Sequence, residues 1–144
     1  MFFKKRLLSS ADDARLIKAI QLAEAKTSGE IRVHIEKNCK GTALEECKKH
    51  FGKLNMQQTK DRNGILFYLA INSKSFAVWG DEGIHQKVDD AFWKSITDCA
   101  IGYFKQNELL TGIEKAVELC GEKLKLHFPL EANDKNELSN DISY

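Results

Sequence analysis

The sequence has no apolar stretch of signal or membrane-spanning length. Its opening, MFFKKRLL, carries a basic cluster, but a helical pattern begins by Ala11, so neither a secretory signal nor a spanning segment is expected. Charge of one sign is also missing. Basic residues number 22 and acidic residues 21, which leaves no overall field to draw the chain to nucleic acid or to an anionic bilayer. The cysteines, Cys39, Cys47, Cys99 and Cys120, occur without any CxxC spacing. Cys47 and Cys99 fall on apolar faces of predicted helices, so free, mostly buried thiols in a reducing compartment are expected, with the cytoplasm as location. A zinc site from Cys39, Cys47 and His50 lacks the paired spacing that structural zinc uses. Internal repeats are absent as well.

What is present fits one soluble domain. A chain of 144 residues that is 42% hydrophobic and 30% charged can bury a core without staples. The run SADDARLIKAIQLAEAKTSG (10–29) places Leu16, Ile17, Ile20, Leu22 and Ala23 at helical spacing, with Ser9 or Ser10 as cap and Gly29 as stop. EIRVHIEK (30–37) alternates Ile31, Val33 and Ile35 with polar neighbours and reads as a strand with one buried face. TALEECKKHFGKLNM (42–56) returns to helical spacing through Leu44, Cys47, Phe51 and Leu54. From Ile65 to Ile71 every residue is apolar, as in a central strand covered on both faces. A short turn, NSK (72–74), then leads into SFAVWG (75–80), forming an antiparallel hairpin.

Two amphipathic helices follow, one from Asp89 to Gln106 and one from Glu108 to Phe128, the latter ending before Pro129, the only proline. The order α-β-α-β-β-α-α predicts an α/β/α sandwich around a central mixed sheet. Residues 1–130 form the expected domain, and the polar, net acidic segment 131–144 is expected to be a loose tail.

Topology gives the acidic residues a meeting place. The crossover between the first two strands should be parallel and right-handed, so both strands start at one edge of the sheet. The hairpin returns the third strand to that same edge. Glu30, Asp61 and Asp81 are thereby delivered to one rim, with Glu82, Asp89 and Asp90 within reach from the WGDEGIHQKVDD segment (79–90). Crowded carboxylates need a cation, an arginine or a helix N-terminus to offset their repulsion. Oxygen-rich surroundings suit Ca²⁺ or Mg²⁺, yet strand-end and helix-cap roles with an ion pair to Arg62 account for the same residues without metal. The segment is no EF-hand, since it lacks the D-x-[DN]-x-[DN]-G spacing. His34, His50, His85 and His127 are scattered; His85 alone lies near the acidic loop and reads as an exposed loop residue. Trp79 and Trp93 read as packing.

Several phrases taken together resemble the TPM-domain family: AIQLAEAKTSGEIRVHIE (19–36), RNGILFYLAI (62–71), FAVWGDEGIHQKV (76–88), FW (92–93) and GIEKAVELCGEKLKLHFP (112–129). The resemblance covers about residues 10 to 130 and rests on the combination of SGEIRV, RNG and GDEGI. It implies a mixed sheet sandwiched by helices, divalent cation binding and acid phosphatase activity in a functionally diverse family. Carried onto matching positions, the metal ligands it implies are Glu30, Asp61, Asp81, Glu82, Asp89 and Asp90. Many members carry a signal peptide, a transmembrane helix or a Gly-rich tail; none is read here, so membrane partners are not carried over.

Known catalytic signatures are missing. No cysteine has an arginine six residues later, no D-x-D follows a strand, and neither G-x-x-x-x-G-K-[ST] nor H-E-x-x-H occurs. A phosphatase would need a rim metal to activate water, with Arg62 binding phosphate and Asp81 or Asp61 as ligand or base. The favoured expectation is a binding or accessory module, a monomer in which Ca²⁺ or Mg²⁺ orders the loop, so that the loop, or the tail, meets a protein partner. A weak metal-dependent phosphatase and a metal-free scaffold are the alternatives.

Overall fold

A computed structural model describes residues 7–132 and 136–144. Helix α1 (Ser10–Glu24) starts where Ser9 Oγ accepts the Asp12 N–H at 3.1 Å, with Asp12 and Asp13 in the positive first turn. Strand β1 (Glu30–Glu36) leads into α2 (Ala43–Lys53), which Thr42 caps on the Glu45 N–H. Strands β2 (Gly64–Ala70) and β3 (Ser75–Gly80) form the hairpin. A single turn, α3 (Glu82–His85), then precedes α4 (Asp90–Phe104) and α5 (Leu109–His127).

The sheet order is β1-β2-β3, with β1 parallel and β3 antiparallel to β2. The expected mixed α/β architecture is therefore present. One face of the sheet, through Ile31, Val33, Ile35, Ile65, Phe67, Leu69 and Val78, buries against α1, α4 and α5. The other face, through Leu66, Tyr68, Ala70 and Ala77, buries against Cys47 and Phe51 of α2. This explains the unbroken apolar run in β2, whose seven residues are all buried. Burial of each large side chain there contributes about 1.5–3 kcal/mol before entropy is counted.

Three details differ from the sequence reading. Helix α1 stops at Glu24 rather than running to Gly29. Thr27 draws the chain away, donating its hydroxyl to Phe128 O at 2.5 Å and bridging to Pro129. Helix α3 is an added element inside the acidic loop, capped by Asp81. Finally, residues 136–144 lie back along β1: Ser143 N donates to Val33 O at 2.9 Å, Ile35 N donates to Ser143 O at 2.8 Å, and Ile142 is buried. Among the described residues, no helix is long and apolar enough to cross a membrane.

Candidate functional site: the acidic rim

Backbone hydrogen bonds tie the three strand ends together. Glu30 N donates to Asn63 O at 3.2 Å, and Asp81 N donates to Gly64 O at 2.9 Å. Asn63, buried between them, donates its side-chain amide to Ser28 O at 3.2 Å and its N–H to Thr59 Oγ1 at 3.2 Å. Glu30, Asp61 and Asp81 thus all belong to the sheet end that topology predicted.

At this end Arg62 holds the negative charge. Its backbone is left-handed, with φ of 50°, a region that most side chains avoid. From there Nε donates to Asp81 Oδ2 at 2.6 Å and Nη2 to Asp81 Oδ1 at 2.8 Å, a two-pronged pair. Nη1 lies 3.3 Å from Glu82 Oε1. Asp81 Oδ1 also accepts the Glu82 N–H at 2.8 Å and so starts α3. The hydrogen bond to Asp81, helped by the charges of Asp81 and Glu82, raises the guanidinium above its ordinary value against the opposing effect of desolvation. Asp81 itself is buried, and its carboxylate is satisfied on both oxygens.

The remaining carboxylates are placed apart from this pair. Glu30 is 3% exposed, and its Oε1 accepts the N–H groups of Glu137 and Leu138 at 2.5 and 2.6 Å. Asp61 is exposed and lines a hollow of about 270 Å³ with Ser28, Gly83, Gln86, Lys87 and Glu131. Asp89 caps α4 by accepting the Phe92 N–H at 3.2 Å, and Asp90 occupies its first turn. Among the described residues, no three of these six carboxylates have oxygens within 4.8 Å of one another. The structure therefore brings Asp81 and Glu82 together on Arg62 and sets Asp61 at a hollow that Gly83 also lines. It gives Glu30 and Asp89 separate backbone partners and places Asp90 in the first turn of α4.

Gly83 fixes the spacing of the rim. It donates its N–H to Arg62 O at 3.0 Å, and a Cβ there would fall 2.3 Å from Asp61 O and 2.6 Å from Arg62 O. His85 lies between Trp79 and Trp93, its ring tilted to both, with centroids 4.6 and 5.0 Å away.

A second titratable group lies on the α2 face of the sheet, outside the sequence reading. His34, Glu36 and His50 present ligand atoms within 4.8 Å of one another. His34 and Glu36 are two residues apart on β1 and so share a face, a signal available in VHIE (33–36). His50 sits one turn beyond Cys47 on the buried stripe of α2, where its type gave no hint of a partner across the sheet. The cysteines are free: Cys47 donates to Leu66 O at 3.4 Å and Cys39 to Gly41 O at 3.2 Å. Burial pushes the Cys47 thiol up to about 12 and raises Cys120 too, so both are protonated and unreactive at neutral pH.

An α/β sandwich whose strand ends gather an arginine-held acidic loop matches one described family. The TPM-domain profile matches residues 2–123, and the chain belongs to the TPM-domain family. The BA42 protein of the psychrophilic bacterium Bizionia argentinensis, solved by NMR, is similar over 99% of both chains at 36% identity, with a TM-score of 0.90. The N-terminal domain of cg2496 from Corynebacterium glutamicum shares the fold at 14% identity and a TM-score of 0.64, over 96% of this chain and 81% of that one. An N-terminal domain from P. gingivalis does so at 17% identity and a TM-score of 0.68, over 88% and 83%. Among proteins with curated descriptions, none matches.

Proposed function

We propose that this TPM-like chain acts as a binding module whose working surface is the acidic rim. There Ca²⁺ or Mg²⁺ competes with Arg62 for the carboxylates of Asp81 and Glu82, with Asp61 alongside. The observation that carries this reading is the clamp of one guanidinium on two carboxylates. The rim already requires a positive group, and a hard divalent ion with oxygen ligands meets the same requirement. Release of Arg62 changes the surface that α3 and the Gly80–Asp90 loop offer to a protein partner.

Competition with an internal cation makes the affinity low, with Kd on the order of 10⁻⁴–10⁻³ M. Catalysis draws less support. Arg62, the residue suited to hold a phosphate, is engaged by Asp81 and Glu82, and the buried thiols are raised out of the nucleophilic range.

An amide-resolved NMR titration tests the proposal. Either metal should move the signals of residues 61–63 and 80–86 together, with weaker changes at Glu30. The Arg62→Ala variant should bind more tightly, because the competitor is gone, and Asp81→Asn should lose the response. Unmoved rim amides at about 10 mM of both metals would reject the reading.

A further inference from the structure

We infer that His34, Glu36 and His50 form a second metal site, selective for a borderline transition ion such as Zn²⁺ and separate from the acidic rim. Two segments build it. His34 and Glu36 project from the same face of β1, and His50 comes down from α2. Both imidazoles offer Nε2 to a single carboxylate oxygen: Glu36 Oε1 lies 3.1 Å from His34 Nε2 and 2.6 Å from His50 Nε2. At 2.6 Å, however, the His50 N–H is not aligned to donate, so this short approach is not an ordinary hydrogen bond. The two rings stack with centroids 3.8 Å apart. Two buried imidazoles so close cannot both be charged cheaply, whereas an ion at their common edge lets both stay neutral and neutralises the carboxylate.

Two nitrogens and one carboxylate oxygen are a donor set that zinc takes, leaving a fourth position for water. Hard ions such as Ca²⁺ and Mg²⁺ prefer oxygen, so the two sites differ in chemistry. Outer contacts are also in place. A histidine that binds metal through Nε2 keeps its proton on Nδ1 and needs an acceptor there. His34 Nδ1 lies 2.9 Å from Ser143 Oγ. The second oxygen of Glu36, Oε2, accepts the Tyr68 hydroxyl at 2.5 Å, which fixes the carboxylate. Entry is possible on the Glu36 side, where the side chain is 24% exposed against 1% for His34 and 9% for His50. As the less buried ring, His50 is the one that turns to seat the ion. No thiol is among the ligand atoms that lie within 4.8 Å of one another, which come from His34, Glu36 and His50.

Calorimetric titration of the full chain with Zn²⁺ at neutral pH, repeated with Co²⁺ and followed by absorption, tests the site. One equivalent should bind with micromolar or tighter Kd, and Co²⁺ should give ligand-field bands without thiolate charge transfer. His50→Gln should weaken binding about 100-fold while His85→Ala leaves it unchanged. Long-range ¹H–¹⁵N spectra of the wild-type histidine rings keep the test decisive if His50→Gln does not fold. Zn²⁺ should shift Nε2 of His34 and His50 and leave Nδ1 protonated, whereas Ca²⁺ should move neither. The inference falls if Zn²⁺ leaves both rings unmoved, if a folded His50→Gln binds as tightly as wild type, or if Co²⁺ shows sulfur ligation. None of these results bears on the rim.

Discussion

Replacing Gly83 with alanine would add one methyl group at the tightest point of the rim. The new Cβ would lie 2.3 Å from Asp61 O and 2.6 Å from Arg62 O, where ordinary contact begins near 3.4 Å. Both obstacles are backbone, so no flexible side chain can swing aside. Either the 61–62 turn or α3 must move, and the Gly83 N–H to Arg62 O hydrogen bond, 3.0 Å long, is stretched with it. Overpacking of this kind costs about 1–3 kcal/mol, and the hydrogen bond about 1 kcal/mol. Alanine's better helix propensity returns about 0.5–1 kcal/mol, leaving a net loss of about 1–3.5 kcal/mol. With a urea slope of about 2 kcal/mol per M, the midpoint should fall by about 0.5–2 M. Amide shifts at residues 61–63 and 80–86 should accompany the loss. A Gly83→Ala protein within about 0.5 kcal/mol of wild type, with rim amides in place, would refute the idea that this close approach fixes the rim.

Gly52 and Gly102 are the contrasting positions, since a Cβ at either meets nothing within 4 Å; Gly52→Ala and Gly102→Ala should each raise stability by about 0.5–1 kcal/mol in the same urea assay. Removing residues 137–144 takes two N–H donors from the buried Glu30 carboxylate and the β1 pairing from Ser143; unfolding should be easier by at least about 2 kcal/mol. For Glu36, burial alone would raise the carboxyl pKa, but the Tyr68 hydroxyl, His34 and His50 outweigh it and hold it below the ordinary value. A depressed carboxylate stabilises the fold above its unfolded pKa and loses that contribution as pH falls through the folded one. In the presence of chelator, the stability advantage of wild type over Glu36→Gln should therefore be full near pH 6 and shrink below about pH 4, as read by urea midpoints across pH.

Much of the architecture was legible because burial writes itself into local pattern. Alternation in 30–36 marked the strand and its apolar face, although Glu30 and His34 on the polar face are buried as well, which the pattern did not predict. The seven apolar residues of 65–71 marked a strand covered by helices on both sides. The parallel crossover and the hairpin then placed Glu30, Asp61 and Asp81 at one sheet end by topology alone. What a carboxylate touches there is a different matter. Glu30 meets N–H groups from residues 107 and 108 positions further along, which no local pattern encodes. Helix α3 depends on Asp81 serving both as its cap and as the partner of Arg62, two roles that spacing alone leaves open. The segment after Pro129 is polar in composition, yet Ile142 and Ser143 are placed against β1 by backbone hydrogen bonds, which any sequence can make. The His34–Glu36–His50 group needed the α2-to-sheet packing before its members could be related.

Manganese offers the most direct test of the rim, because a paramagnetic ion broadens the amides around the place where it binds. Added in trace amounts as a stand-in for Mg²⁺, it should first broaden residues 61–63 and 80–86 while α2 stays sharp, and excess Mg²⁺ should restore the lost signals. Broadening centred on His34 and His50 with the rim sharp, or none at all, would contradict a cation-responsive rim.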